Sequence, residues 1–322
     1  MLAWVCKGNN SIALEERPSP VPDENEMAIQ VQASGLNRAD LLQRRGVYPA
    51  PKWAPADILG LEYAGYVSEV GVKVKNWAVG DRVMGLVGGG AMAQTVITHA
   101  AEVLPIPNNL DFSEAAGLPE AQLTAFDALE RLGLSSGQSL LIHAIGSGVG
   151  EALLRQAIAK GLEVCGTSRS QWKIDRAIET GLQHAALSTN GNFLANLNGK
   201  TFDGIIDFIG AAYMRQNLKS MSTNGKMLLL GLMGGVKSEL DLGRLLRIRG
   251  SILSATMRSR PQGERIELLN RFRSQIPEQL SICLTPPHID AVFGYSQLEQ
   301  AQLIMQTNQN YGKIILDWTR SI

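Results

Sequence analysis

The chain has 322 residues, 45% of them apolar, which is enough to bury a large core and long enough to favour two domains over one. Thirty basic residues balance thirty acidic ones, so no general field draws the chain to nucleic acid or to an anionic membrane. No apolar run is long enough to span a bilayer and the N-terminus lacks a signal-peptide pattern, so a soluble cytoplasmic protein is expected. Cys6, Cys165 and Cys283 are widely separated, show no metal or redox pairing, and read as small apolar core residues.

From Met1 to about Pro107, short alternating segments such as Met27 to Ala33, Gly65 to Val70 and Gln94 to Thr98 are separated by Pro and Gly turns. They predict a compact, mostly β domain. A helix start at Ser113-Glu114-Ala115-Ala116 and a helical stretch from Leu123 to Leu132 follow as a hinge region. Strands are then predicted at Ser139 to Ala144, Glu163 to Ser168, His184 to Leu187, Gly204 to Ile209, Lys226 to Leu232 and Ser251 to Ala255, with helices between most of them. That alternation predicts an α/β doubly wound parallel sheet. A polar helix from Gly263 to Gln275, a proline-rich connection at Thr285-Pro286-Pro287, a helix near Gln297 to Gln306 and a strand from Lys313 to Trp318 complete the chain. This tail is expected to return to the first domain.

The stretch Ser139 to Gly150 reads as strand, glycine-rich turn and helix start. Glycines at 146, 148 and 150 let the backbone approach a pyrophosphate, whose charge unpaired N–H groups and the helix dipole would meet. A Gly-x-Gly-x-x-Gly pattern starting at Gly146 would need glycine at 151, where Glu151 stands. A carboxylate suits the first helical turn but repels a pyrophosphate, so Glu151 is expected to face solvent. The next strand ends about ~20 residues on, where an NAD site usually carries an acid for the ribose 2′-hydroxyl. Here Ser168 is followed by Arg169 and Lys173. The missing acid and the two cations point to the 2′-phosphate of NADPH. At the ends of the fourth and fifth strands, Gly210, Gly231, Leu232 and Met233 are candidates for backbone contact with the cofactor, or simple strand-end turns.

Asn37-Arg38-Ala39-Asp40, Arg45-Gly46-Val47-Tyr48, Gly60-Leu61-Glu62-Tyr63-Ala64-Gly65, Gly80-Asp81-Arg82-Val83, Pro119-Glu120-Ala121, the turn from His143 to Gly150 and Asn310-Tyr311-Gly312-Lys313 occur in one order. That order resembles the zinc-independent quinone oxidoreductases of the medium-chain dehydrogenase/reductase superfamily, nearest the tumour-suppressor-inducible group. The resemblance implies a GroES-like catalytic domain at 1–121 and 262–322 and a Rossmann cofactor domain at 122–261. It implies an NADPH-dependent reductase that pairs as a homodimer through the edge strands of its cofactor sheets. Asn37 and Tyr48 match family positions lining the nicotinamide and substrate cleft, where an amide and a phenol orient a carbonyl. On residue type alone they are a turn residue and a half-buried aromatic. Thr124, Gly146, Ser147, Gly148 and Val149 take cofactor positions by the same resemblance, and Lys313 matches a basic position near the cofactor.

Zinc-dependent relatives carry Cys where this chain has Asn37 and His where it has Leu61, so no metal is expected. Glu62 then reads as a structural hydrogen-bonding group, and His143, His99, His184 and His288 as packed residues. Arg38 and Asp40 are expected to form a local ion pair, and Gln43 and Arg44 to be solvated. The leading function is hydride transfer from NADPH to a quinone or similarly activated acceptor. Reduction of an activated carbon–carbon double bond, or a non-enzymatic NADPH-binding role of structural, sensing or RNA-binding type as in crystallin relatives, stands as the alternative.

Overall fold

The computed structural model describes residues 1–275 and 284–321, so Cys283 lies outside the described residues. They divide into two compact units. The first comprises Met1–Glu120, Arg258–Arg271 and the described residues from Leu284 onward; the second comprises Ala121–Met257 with 272–275.

In the first unit, a hairpin of Leu2–Gly8 and Ser11–Glu16 accompanies a seven-stranded sheet. Its spatial order runs Ile289–Gly294, Lys313–Asp317, Glu26–Gly35, Glu62–Val70, Arg82–Leu86 and Val103–Pro105, with Thr95–His99 also pairing with Glu26–Gly35. Only the pairing of Ile289–Gly294 with Lys313–Asp317 is parallel. Met27, Ile29, Val31, Tyr63, Val67, Ile314 and Leu316 fill the core against the helix Leu298–Gln306. Burial of this order is what the hydrophobic effect rewards, at about 1.5–3 kcal/mol per large apolar side chain. Register places Glu62 opposite Gly35, at the strand end from which the chain turns into Asn37. Lys313 opens the strand whose residues Ile315 to Asp317 pair with Gly35 to Ala33.

The second unit holds six parallel strands in the order His184–Leu187, Glu163–Ser168, Ser139–Ile142, Phe202–Asp207, Met221–Leu229 and Ser251–Ser254. Counted along the chain this is 3-2-1-4-5-6, the doubly wound arrangement, whose order reverses between Ser139–Ile142 and Phe202–Asp207. The central strands carry the apolar stretches Leu140 to Ile142, Ile205–Ile206 and Met227–Leu228, buried on both faces as helices cover such a sheet. Leu140, Ile142, Ile206 and Leu228 pack beneath Ala121, Ala125 and Leu129 of the helix Pro119–Leu132 and Leu153 and Ala157 of the helix Gly148–Ala159.

Four of the six parallel strands end earlier than the apolar runs predict, at Ile142, Asp207, Leu229 and Ser254, and the turn at Asp207 accounts for two of them. Phe202–Asp207 stops because the Asp207 carboxylate accepts the N–H groups of Ile209 at 2.6 Å and Gly210 at 3.1 Å, and Gly210 takes a φ of 78°. Met221–Leu229 makes its last rung through the Leu230 N–H to the Asp207 carbonyl and stops there, because the Gly231 N–H folds back onto the same carbonyl.

Candidate functional site

In the first unit, the chain leaves the strand Glu26–Gly35 and enters the short helix Arg38–Arg44 through Asn37. The Asp40 carboxylate accepts the Asn37 N–H at 2.7 Å, which fixes the backbone of the helix entry. The Asn37 side chain points to a buried pair. Its Nδ2 donates to Glu62 Oε1 at 2.9 Å, and its Oδ1 accepts from Lys313 Nζ at 3.0 Å. Lys313 Nζ also donates to the Leu36 carbonyl at 3.0 Å and to Glu62 Oε1. Glu62 Oε2 accepts the N–H of Glu120 at 2.9 Å. Glu62 and Lys313 are almost fully buried, so each needs the other's charge in place of the water it has lost.

Two further carboxyls sit in this surrounding. Burial pushes Asp40 up to about 7, against the opposing pull of the Asn37 N–H, Arg258 and Lys313. Burial first, and the Glu62 charge second, push Glu120 up to about 7 as well. The Tyr48 phenol is raised chiefly by burial, so it stays protonated and serves as a hydrogen-bond donor or acceptor without charge. Arg258 organises the Tyr48 side of the unit: its Nε donates to the Gly88 carbonyl at 2.6 Å, Nη1 to the Tyr48 carbonyl at 3.0 Å and Nη2 to Gln43 Oε1 at 2.6 Å.

In the second unit, Ser147 caps the helix Gly148–Ala159, its Oγ accepting the Gly150 N–H at 3.0 Å. The N–H groups of Gly148 and Val149 find no acceptor among the described residues. Such a helix end favours an anion. Thr124 Oγ1 is buried without a partner. Free N–H groups at a helix start and an orphaned hydroxyl in the same unit fit a nicotinamide dinucleotide. The glycine that lets helix and strand close up is Gly150: a Cβ there would stand 2.6 Å from the Ala144 carbonyl oxygen and 2.7 Å from that of Ile145. Ala144 takes the left-handed conformation, φ 50°, at a turn position where glycine costs least. Gly150 thus fills the close-packing place of a third glycine, although Ile145 and Ser147, not glycines, stand five and three residues before it.

Behind this turn, Thr167, His143, Asn217 and Asp207 form a buried chain. His143 Nδ1 lies 2.8 Å from Thr167 Oγ1 and Nε2 lies 2.7 Å from Asn217 Oδ1, while Asn217 Nδ2 donates to Asp207 at 2.9 Å. An amide oxygen can only accept, so Nε2 carries the proton and Nδ1 accepts from Thr167. Burial holds His143 down at about 4 and pushes Asp207 up to about 6. The chain links three neighbouring strand ends at the point where the sheet order reverses.

The candidate cofactor residues of the second unit gather on neighbouring loops. Gly146, Ser147, Gly148 and Val149 form the first turn. Ser168 closes the next strand, its Oγ accepting the Ser170 N–H at 3.1 Å, with Arg169 exposed beside it and Lys173 Nζ 5.2 Å from the Trp172 ring centroid. Gly210 joins the loop of Gly231, Leu232 and Met233, where Met233 N–H reaches the Phe208 carbonyl at 3.2 Å. Thr124 lies on the helix Pro119–Leu132. Lys313 belongs to the first unit.

Several readings need correction. Glu151 does not face solvent: it is 3% exposed, and Arg155 one turn on meets it at 2.7 Å, so the helix dipole and an i,i+4 cation stabilise it in place of water. Gln43 is buried because the helix Arg38–Arg44 turns it inward, onto Arg258. Asp40 turns back to the Asn37 N–H, since residues two apart on a helix do not face each other, and Arg38 donates to Asn308. His184 is exposed. Arg258 and the Glu120 carboxyl join the site through contacts that the folded chain alone creates. Glu120 stands in a quoted motif, but nothing local to Arg258 announces partners at Gln43, Tyr48 and Gly88.

Two families of known proteins match the chain. The family described as "Alcohol dehydrogenase GroES-like domain" matches residues 23–108, and "Zinc-binding dehydrogenase" matches residues 148–274. The two matches together place the chain in the medium-chain dehydrogenase/reductase superfamily, with quinone oxidoreductase-like homologues. The mouse (Mus musculus) synaptic vesicle membrane protein VAT-1 homolog-like is 40% identical over 147 residues, 45% of this chain. The match spans only 35% of that relative's length. Quinone oxidoreductase-like protein 2 of Bos taurus is 27% identical over 338 residues, covering 98% of this chain and 96% of the relative. The solved quinone oxidoreductase of Escherichia coli, complexed with NADPH, superposes with a TM-score of 0.85 over 98% of this chain and 100% of its own, at 23% identity, a likeness of fold. Among the described residues, no helix is long and apolar enough to cross a membrane.

Proposed function

We propose that this chain is an NADPH-dependent quinone reductase that needs no metal, cytoplasmic and acting as a homodimer. The observation that carries the cofactor reading is the end of the strand Glu163–Ser168, where Arg169 is exposed and no carboxylate occupies the ribose-reading position. An acid there would repel a 2′-phosphate, and the cations at 169 and 173 favour it. Gly146 to Val149, Thr124, Ser168, Gly210 and Gly231 to Met233 would hold the cofactor, which supplies a hydride when bound.

The acceptor chemistry follows from the first unit. Asn37 and Tyr48 offer neutral hydrogen bonds, and neither Cys nor His stands at positions 37 and 61. Reduction of a simple ketone leaves a highly basic alkoxide, which zinc-dependent relatives stabilise with a Lewis acid. A reduced quinone is a phenolate-like anion with a conjugate acid near the pKa of about 10 of a tyrosine phenol, so orientation by neutral donors is sufficient. The same donors would suit the carbonyl of an activated alkene. Following NADPH and NADH absorbance against small quinones and enones side by side tests the reading. Faster turnover of quinones with NADPH supports it; enone preference supports the double-bond alternative; cofactor binding with no acceptor reduced would leave a non-enzymatic role.

A further inference from the structure

This inference rests on the reading of Asn37 as the residue that orients the acceptor. We propose that Lys313 is a positioning residue, which locks the Asn37 side-chain amide so that it presents an N–H, not an oxygen, to the acceptor.

A side-chain amide has nearly the same shape either way round, so its partners decide which atom faces which. Lysine ammonium can only donate and an ionised carboxylate can only accept. Asn37 Oδ1 lies on Lys313 Nζ at 3.0 Å and Nδ2 on Glu62 Oε1 at 2.9 Å. Reversal would set the amide nitrogen against an ammonium and the amide oxygen against a carboxylate, exchanging two attractions for two repulsions. Gly35 permits the approach, since a Cβ there would meet Glu62 Oε1 at 2.3 Å. Among the described residues the second hydrogen of Nδ2 meets only the Gly35 carbonyl, at 3.4 Å, longer than the usual N–H···O range. That hydrogen is the one a ligand carbonyl can claim.

The ammonium itself is spent. Lys313 is 4% exposed, and its three hydrogens have three acceptors: the Leu36 carbonyl, Asn37 Oδ1 and Glu62 Oε1. None remains for a cofactor phosphate. The role of Lys313 is therefore exerted through Asn37 and Glu62, unlike the direct cofactor contact that its sequence position implies.

The test compares Lys313→Met, Lys313→Arg and the double variant Lys313→Met with Glu62→Gln, the last removing the buried carboxylate that the single variant would strand. NADPH Kd, kcat/KM for 1,4-benzoquinone and the ¹⁵N side-chain amide signals of Asn37, assigned by their loss in Asn37→Asp, are measured for each. In the double variant kcat/KM should fall about tenfold to a hundredfold while NADPH Kd stays within about twofold. The Asn37 amide protons should lose their separation and exchange faster, and Lys313→Arg should recover most of the activity. NADPH affinity falling in parallel with kcat/KM, or an unchanged Asn37 amide pair, would overturn the proposal. If the wild type reduces no quinone, the functional reading fails, and the amide signals and NADPH Kd still decide the role of Lys313.

Discussion

Arg258 holds Tyr48 from 210 residues away, donating to its carbonyl at 3.0 Å with the guanidinium 5.3 Å from the centre of its ring. The same guanidinium serves Gly88 and Gln43, so three acceptors, two of them buried, depend on one planar fork. Arg258→Met should cost about 2–5 kcal/mol of stability, because stranded acceptors keep their desolvation penalty. Arg258→Lys should recover little, since an ammonium cannot reproduce the fork. Urea unfolding of the two variants checks this; a loss below about 1 kcal/mol for Met would mean that the acceptors find water or new donors.

Arg169→Ala should weaken NADPH by roughly tenfold to a hundredfold, the loss of one hydrogen bond to a charged group at about 1.5–3 kcal/mol. NADH should bind as before. Titration of both cofactors by fluorescence decides it, and equal weakening of the two would remove Arg169 from the 2′-phosphate.

The acid response of the second unit should depend on His143. Its folded pKa of about 4 lies below the ordinary 6.5, so between those values the unfolded chain binds a proton that the folded chain refuses. The stability contribution is complete above pH 6.5 and lost as pH falls to about 4, on the order of 3 kcal/mol for such a shift. Asp207, raised to about 6, works in the opposite sense between its ordinary 3.8 and that value. The comparison is therefore with His143→Gln, whose stability should fall less than the wild type's between pH 7 and pH 4. Parallel pH–stability curves for the two proteins would contradict the assignment.

Gly150→Ala should destabilise the second unit by about 1–3 kcal/mol, because the new Cβ meets the Ala144 and Ile145 carbonyl oxygens and not a side chain able to move. NADPH binding should fall with it, since the free N–H groups of Gly148 and Val149 sit in the same turn. Thermal unfolding with and without NADPH measures both effects.

The parallel sheet was legible because each of its strands is a short apolar run with helical spacing beyond it. Strand ends were less legible. Leu230 to Leu232 is as apolar as the strand before it, and what ends the strand is the Gly231 N–H folding back onto the Asp207 carbonyl that already holds the Leu230 N–H. Asn37, Tyr48 and the loops after the parallel strands were singled out by residue type, motif order and position. Gln43 and Glu151 were misread as solvated because polarity predicts exposure until a partner is known, and Arg258 and Arg155 become partners only in the folded chain. Arg258 carries no local pattern at all, its function residing in contacts to Gly88, Gln43 and Tyr48.

On the function proposed for this chain, Asn37 and Tyr48 orient the acceptor for hydride transfer and no side chain acts as an essential acid. One neutral hydrogen bond contributes about 0.5–1.5 kcal/mol, so Tyr48→Phe should slow turnover by no more than roughly tenfold. Steady-state NADPH oxidation with a small para-quinone by wild type and Tyr48→Phe tests this most directly: a loss within tenfold agrees with orientation by neutral donors, and a loss of several thousandfold would show Tyr48 to be the proton source and contradict the account.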